Sequence, residues 1–484
     1  MLALSLATVA AALSLQAVLP RRATKTVPLP IESCFLLHDE NRPTHALRTS
    51  QRDGNVALVD QPTKAPRTIL VIINESAGHH VAASEGPGVS LSSRLCQLGG
   101  GAGKWFMPEN AVTNSSMTDI SLPSILTGCG AHESIEKLHR LPTVFDLAKA
   151  RGYKTAFFAS ATLNWLNLDK FFAIDAIDER VTVESLGLPI TNDQGGDDYI
   201  VAAQTTEWIK ESDDDLFVVL YLNALHVPFL SESACQIPAS IVTRRDRAAF
   251  VVEACHKILF ETLEMTGRFD DGLIISVGDH GETVENSVNE KGHYSRLINL
   301  PSSVLRPIFI MKPPQGLSDD MTQSLARNSE ALIANIDIAP TIAHILGAAP
   351  RGDDVTYEGF SLFADIPKSR IAFTLNVNQW RSWDRGCVAI SRGNARVTVD
   401  YQTEDLCVYS YAGPEEDEAL RHSNKEELLM EGLGQEIVRN AISKIFRDKL
   451  RMYPRSNSRR ARDVPASNLA IAAERQGAAT GPRA

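Results

Sequence analysis

The chain has 484 residues, 44% of them apolar and 22% charged, with a formal net charge of −11. That size and balance exclude a globally disordered chain and leave room for one large domain with extensions or for two smaller domains. The acidic balance argues against a protein that coats nucleic acid, and seven cysteines with no Cys-x-x-Cys pair exclude a disulfide scaffold, a zinc ribbon or a thioredoxin-like redox site. Residues 1–19 carry no charged side chain, and such a run suffices to cross a bilayer as a helix. The reading is a membrane anchor. A cleaved secretory signal is the alternative, although Leu15-Gln16-Ala17 makes a poor cleavage site. Arg21, Arg22 and Lys25 follow directly; by the positive-inside tendency they would hold the next domain in the cytoplasm, unless the true start lies upstream and earlier helices set the orientation.

Residues 20–66 hold several prolines and no periodicity, and read as a linker. Thr68–Ile73 is a continuous apolar, β-branched run of the kind found in strands buried on both faces. Similar runs recur at Lys154–Phe158, Leu216–Leu222 and Gly272–Val277, with helical patterns between them at Thr143–Arg151, Tyr199–Glu211 and Arg247–Met265. The alternation predicts an α/β fold over residues 67–350: a mostly parallel, mixed sheet flanked by helices on both faces. Beyond residue 350 the rhythm changes. Arg370–Asn376 and Cys387–Tyr401, the latter turning at Gly393-Asn394, read as antiparallel strands of a small C-terminal α+β lobe over residues 351–452. Cys387 and Cys407 either bridge this lobe or remain two free thiols. Residues 453–484, rich in Arg, Ser, Ala and Pro, read as disordered.

Polar clusters stand where three of the strand runs end. The first strand runs into Asn74-Glu75-Ser76; another ends in Gly278-Asp279-His280-Gly281-Glu282, with Lys291-Gly292-His293-Tyr294 a loop later; a third leads to Leu225-His226-Val227-Pro228-Phe229. Reactive residues of such sheets collect at the carboxyl ends of strands. Carboxylate and imidazole groups gathered there suit a divalent cation such as zinc or manganese. Taken singly, each cluster also fits a bland role as a cap, a turn or a satisfied loop histidine.

The order and wording of these clusters resemble the alkaline-phosphatase superfamily, in its sulfatase-like branch that contains phosphoethanolamine and phosphoglycerol transferases. The resemblance spans residues 67–347. It includes Glu75, the block Ser116-Met-Thr-Asp-Ile-Ser-Leu-Pro-Ser-Ile-Leu-Thr-Gly128, His226-Val-Pro-Phe229, Gly278-Asp-His-Gly-Glu282 and the segment Asn335–Gly347. It implies that Thr118 is the nucleophile, registered by Ser121-Leu-Pro and by Leu126-Thr-Gly128, with Ser116 the rival and Ser121 a small residue of the same helix. It further implies that Glu75, Thr118, Asp279 and His280 bind a divalent metal, zinc first and manganese as the alternative. His226 and His293 would contact the transferred group and move protons, or hold a second metal.

The implied partners are a phospholipid donor, a glycan or lipid acceptor and a membrane, with no nucleic acid. The implied place is the inner cell membrane, with the catalytic domain on its extracytoplasmic side. Sulfatases that make formylglycine need Cys or Ser in a C/S-x-P-x-R setting; the five positions here are Thr118-Asp-Ile-Ser-Leu, which favours attack on phosphorus. Two further departures stand out. Asn114 and Ser124 occupy positions where many phosphoethanolamine transferases have a disulfide, and Glu75-Ser-Ala-Gly78 replaces the usual Glu-Thr/Ser-x-Arg. Asn164-Trp165 with Asp169 resembles a headgroup-binding loop, or else Trp165 is a core residue. A phosphate or sulfate ester hydrolase is the alternative activity, and a non-catalytic binding module on the same fold a third reading.

Overall fold

The computed structural model describes residues 55–420, apart from 60–63, 85–87, 132, 134, 165–167, 231, 283–299, 352–356, 377–386, 394, 401–405 and 412–416. The first strands in the chain are β1 (Val56–Leu58), β2 (Thr68–Asn74), β3 (Asn110–Val112), β4 (Lys154–Ala159), β5 (Glu179–Thr182), β6 (Leu216–Leu222), β7 (Leu273–Gly278) and β8 (Phe309–Lys312). After them come β9 (Leu332–Ala334), β10 (Ala348–Pro350), β11 (Ala372–Leu375), β12 (Cys387–Arg392), β13 (Ala395–Asp400), β14 (Leu406–Tyr411) and β15 (Asp417–Leu420). The central sheet has the order β5-β4-β6-β2-β7-β8, parallel throughout except that β8 runs antiparallel to β7.

Every side chain of β2 is buried, and the pleat sends successive residues to opposite faces. Ile69, Val71 and Ile73 therefore join one apolar core, and Leu70 and Ile72 the other. The first core is closed by helices α2 (Thr118–Thr127), α3 (Val144–Ala150), α6 (Asp319–Asn328) and α7 (Ile338–Leu346); the second by α1 (Leu91–Leu98), α4 (Asp198–Lys210) and α5 (Arg244–Met265). Each fully buried aliphatic side chain is worth about 1.5–3 kcal/mol, which is why the two-sided sheet anchors the molecule. The predicted sheet with helices on both faces is what the chain forms.

Helix starts follow local chemistry. Thr143 precedes α3, and its backbone N–H donates to Asp146 Oδ2 at 2.6 Å, a reciprocal cap that satisfies an otherwise orphaned donor. Asp197 caps α4 by accepting from the Tyr199 N–H at 3.0 Å.

Three findings differ from the sequence reading. Part of the expected linker is structured: β1 pairs antiparallel with β10. The C-terminal lobe is a five-stranded antiparallel sheet, β11 to β15 in sequential order, while any helical part of that lobe after residue 420 lies outside the described residues. A bridge between Cys387 and Cys407 is overturned, because β13 lies between the strands that carry them. Strands sit about 4.8 Å apart, so two such backbones are about 10 Å apart, beyond disulfide reach.

The C-terminal sheet is stitched to the rest just ahead of α2. Ser115 bridges Leu375; the Leu375 N–H donates to Asn114 O at 3.0 Å, the Ser116 N–H to Leu375 O at 3.0 Å, and Thr374 Oγ1 to Thr113 O. Among the described residues no helix is long and apolar enough to cross a membrane. The expected anchor at residues 1–19 and the expected disorder of residues 453–484 lie outside the described residues.

Candidate active site

β2 and β7 are parallel neighbours with Asn74 opposite Gly278, so Glu75 and Asp279 leave the sheet side by side. Ser76 turns the chain with a left-handed φ of 59°, a conformation that costs a non-glycine residue energy and concentrates at functional sites. The turn lets the Ser76 N–H donate to Asp279 Oδ1 at 2.9 Å and its hydroxyl to Glu75 Oε1 at 3.0 Å. His280 follows, its N–H donating to the same Asp279 oxygen at 2.8 Å. Gly281 is required next: a Cβ there would lie 1.9 Å from the Ser303 carbonyl oxygen. His280 Nδ1 is 2.8 Å from the Gly281 carbonyl. A carbonyl only accepts, so Nδ1 carries the hydrogen and Nε2 turns its lone pair to the site.

Thr118 is the first residue of α2. Its Oγ1 lies 3.2 and 3.1 Å from the two Glu75 oxygens and 3.3 Å from His280 Nε2. His280 Nε2 is in turn 3.4 Å from Glu75 Oε1 and 3.3 Å from Asp279 Oδ2. The Tyr221 hydroxyl, near the end of β6, donates to Glu75 Oε2. All these groups are buried, Glu75 at 2% exposure and Asp279 and His280 at 0%. Burial, reinforced by the Glu75 charge, pushes the Asp279 carboxyl well above its ordinary range; burial and then Glu75 do the same to the Tyr221 phenol.

Two buried carboxylates side by side disfavour joint ionisation unless a cation joins them. Asp279 Oδ2 is buried with no hydrogen-bond donor, and Glu75, Asp279 and His280 each turn a ligand atom inward within 4.8 Å of the others. Around tetrahedral zinc, with bonds of about 2.0–2.1 Å, neighbouring donors stand about 3.3 Å apart. The 3.2–3.4 Å separations here match. The residues fit a divalent metal.

Further residues hold this geometry. The Asp279 carbonyl accepts from Thr113 Oγ1 at 2.6 Å, Ser121 Oγ at 2.7 Å and Asn335 Nδ2 at 3.0 Å. Asn335 Oδ1 accepts from the Asn114 N–H at 3.1 Å. Ser121 thus faces the Asp279 backbone. Ser116, the rival nucleophile, is buried with its hydroxyl unpartnered and outside the cleft. Between the two candidates, only Thr118 meets the carboxylate–imidazole group.

A cleft opens over Thr118 and Glu75, with Tyr221, Asn223, Gln194 and His226 in its walls. His226 Nδ1 is 2.6 Å from the Val227 carbonyl and 3.8 Å from Asp193 Oδ2, so Nδ1 donates to that carbonyl. The loop that carries His226 is pinned from α4: Asp198 accepts from the N–H groups of Asn223 and Ala224 at 2.9 and 2.8 Å and from Ser160 Oγ at 2.5 Å. Burial pushes Asp198 up to about 6. His293 and Trp165 lie outside the described residues. Asn164 is exposed and reaches Glu184 at 3.5 Å, outside the cleft.

The sequence reading missed Tyr221, Asn223, Asp198 and Asn335. Tyr221 had a signal: a phenol in an otherwise apolar, fully buried strand must find a polar partner. Asn335 opens the segment Asn335–Gly347 of the resemblance, where no charged or metal-ligating cluster marks it.

A family model described as Sulfatase matches residues 67–348. Among solved structures, a putative sulfatase from Bacteroides thetaiotaomicron superposes with a TM-score of 0.58 at 13% identity, over 82% of this chain and 96% of that one. A protein in the alkaline phosphatase superfamily from Vibrio parahaemolyticus gives 0.55 at 15% identity, over 85% and 93%. The lipoteichoic acid synthase LtaP from Listeria monocytogenes gives 0.54 at 14% identity, over 85% and 97%. At such identities the likeness is one of fold. No curated protein matches the sequence.

Proposed function

Because the chain belongs to the Sulfatase family, we propose that it is a metal-dependent transferase working through a phospho-threonine on Thr118. It moves a phosphoethanolamine- or phosphoglycerol-type group from a phospholipid donor to a glycan or lipid acceptor. One observation carries the reading: a threonine hydroxyl, at the first turn of a ten-residue helix, within 3.1–3.3 Å of Glu75 and His280. A helix N-terminus favours the anionic phosphoryl group.

Glu75, Asp279, His280 and Thr118 Oγ1 would hold one divalent ion, zinc or manganese, which supplies a lowered hydroxyl pKa and polarises a phosphoryl oxygen. The Thr118 hydroxyl donates to Glu75, the base placed to take its proton. As the Oγ1–P bond forms, the P–O bond to diacylglycerol breaks. His226, with its Nδ1 fixed on a carbonyl, offers Nε2 to protonate the leaving oxygen. The acceptor hydroxyl then gives its proton to His226 and attacks phosphorus, the Oγ1–P bond breaks and Glu75 returns its proton to Thr118, a ping-pong sequence. The absence of the C/S-x-P-x-R setting weighs against sulfate-ester hydrolysis. On this reading the domain works at the extracytoplasmic face of the cell membrane, where it would meet a phospholipid donor.

The test is intact-mass and peptide analysis of the full chain, loaded with zinc or manganese and incubated with phosphatidylethanolamine or phosphatidylglycerol vesicles. The expected result is the mass of one phospho-headgroup on the peptide that contains Thr118. Release of the headgroup phosphate to water, with no dependence on any acceptor alcohol, would instead select a hydrolase.

A further inference from the structure

Glu75 is held from a third strand. Every side chain of β6 is buried, and in its sequence Leu-Phe-Val-Val-Leu-Tyr-Leu only Tyr221 carries a polar atom. Tyr221 stands opposite Ile73 in the parallel ladder of β6 and β2, and alternate residues of a strand share a face. The ring therefore lies in the core that holds Phe217, Val219 and Ile73. Its hydroxyl reaches past Ile73 to Glu75, two residues along, and donates to Oε2. A phenol has one hydrogen to give, so towards the cleft it lines Tyr221 turns lone pairs alone.

The two carboxylates of the donor group are divided in the same way. Asp279 Oδ1 accepts from the Ser76 and His280 N–H groups, which leaves the buried Oδ2, without a donor, as the ligand atom. Glu75 Oε1 stands 3.2 Å from Thr118 Oγ1 and 3.4 Å from His280 Nε2, inside the donor group. Oε2, 3.1 Å from Thr118 Oγ1, is the oxygen that Tyr221 holds. A carboxylate free to turn can offer a metal one oxygen or both. Zinc takes a tetrahedral shell, whereas manganese suits an octahedral one built from oxygens. Keeping one oxygen of each carboxylate occupied elsewhere favours the smaller shell.

Resting on the metal site of the reading above, and on neither its donor nor its acceptor, we infer that Tyr221 is a positioning residue for the metal: its hydroxyl keeps Glu75 a one-oxygen ligand and so biases the site toward zinc. Tyr221 acts through Glu75 and moves no proton.

The test compares zinc and manganese affinities of the full chain, by chelator competition, in wild type, Tyr221→Phe and Tyr153→Phe. Phenylalanine keeps the ring in the core and removes only the hydroxyl. Tyr153 is a buried tyrosine of the same core whose hydroxyl donates to the Pro66 carbonyl, so its variant reports the loss of a buried hydroxyl that does not touch Glu75. Tyr221→Phe should weaken zinc binding by about 10- to 100-fold, the usual loss for the partner of a metal ligand. Manganese binding should weaken by less, so that the preference for zinc narrows. Tyr153→Phe should leave both affinities at their wild-type values. Unchanged zinc affinity in Tyr221→Phe, an equal loss for both metals, or the same loss in Tyr153→Phe would overturn the role. If Tyr221→Phe fails to fold, fluorine NMR of fluorotyrosine-labelled wild type carries the test. One of the nine tyrosine signals should then move in step with added zinc, and a spectrum indifferent to zinc would overturn the role. The lipid-adduct assay separates the two ideas. Zinc affinity that depends on Tyr221, without any mass on Thr118, would leave the positioning role standing and remove the transferase reading. A Thr118 adduct with zinc affinity indifferent to Tyr221 would do the opposite, and a wild type that binds neither metal would overturn both.

Discussion

At the scale of single residues, the Thr118 hydroxyl and the Asp279 carboxylate face the same point from different elements, and their removal has different signatures. Thr118→Ala deletes the hydroxyl proposed as the nucleophile and little packing volume. Its rate is expected to fall by more than about 10³-fold with the melting temperature nearly unchanged. A variant that keeps above about a tenth of the rate would hand the nucleophile's role to another residue. Asp279→Asn keeps the shape but removes the charge from an oxygen that has no hydrogen-bond donor. Elemental analysis should show metal content falling together with activity, because each ligand is a large share of a four-ligand shell; equal metal in both proteins would remove Asp279 from that shell.

Between elements, the contact that matters most is the one from α4 to the loop after β6. Asp198, fully buried, holds Asn223 and Ala224 by their N–H groups, and burial raises its pKa from 3.8 to about 6. A carboxyl whose folded pKa is raised binds its proton more tightly folded than unfolded. Its contribution to stability is therefore fully present below about pH 4 and is lost as pH rises through about 6. Two units correspond to about 2–3 kcal/mol. Urea unfolding of wild type and Asp198→Asn at pH 5 and pH 7.5 should show the variant gaining on wild type by about 1–1.5 kcal/mol at the higher pH, the part of the span not already lost by pH 5, whatever constant offset the lost acceptor adds. A pH-independent difference would mean that Asp198 is ionised throughout. The same contact shows what could and could not be read from sequence. β2, β4, β6 and β7 announce themselves as largely apolar runs because both of their faces are buried. Glu75, Asp279 and His280 were legible because they follow those runs at once. β5 is short and partly exposed and β8 only four residues long, so neither has a period to detect. Tyr221 reaches Glu75 only because β6 lies beside β2, and Asn335 reaches Asp279 only because the segment after β9 packs on α2. Neighbour relations of that kind are set by tertiary packing and leave no local mark on the sequence.

For the whole molecule, two expectations concern what surrounds the catalytic sheet. If residues 1–19 are an anchor, the full chain stays in the membrane pellet through carbonate extraction, and protease added to spheroplasts digests residues 67–420. Release by carbonate would indicate a cleaved signal, and complete protection would mean that Arg21, Arg22 and Lys25 had set the opposite orientation. The second expectation follows from the stitching of Leu375 to Asn114 and Ser116. A chain ended at Pro350 keeps all six strands of the central sheet and the whole span that matches the family model, yet it loses the partner of the backbone leading into Thr118. Such a chain should retain its far-UV circular dichroism and lose tight metal binding, whereas one carrying β11 to β15 should keep both. The edge of the recognisable family and the edge of the backbone support ahead of Thr118 thus fall at different points along the chain. A gene fusion, truncation or transplant cut at the first of them would carry away the fold and leave the chemistry behind.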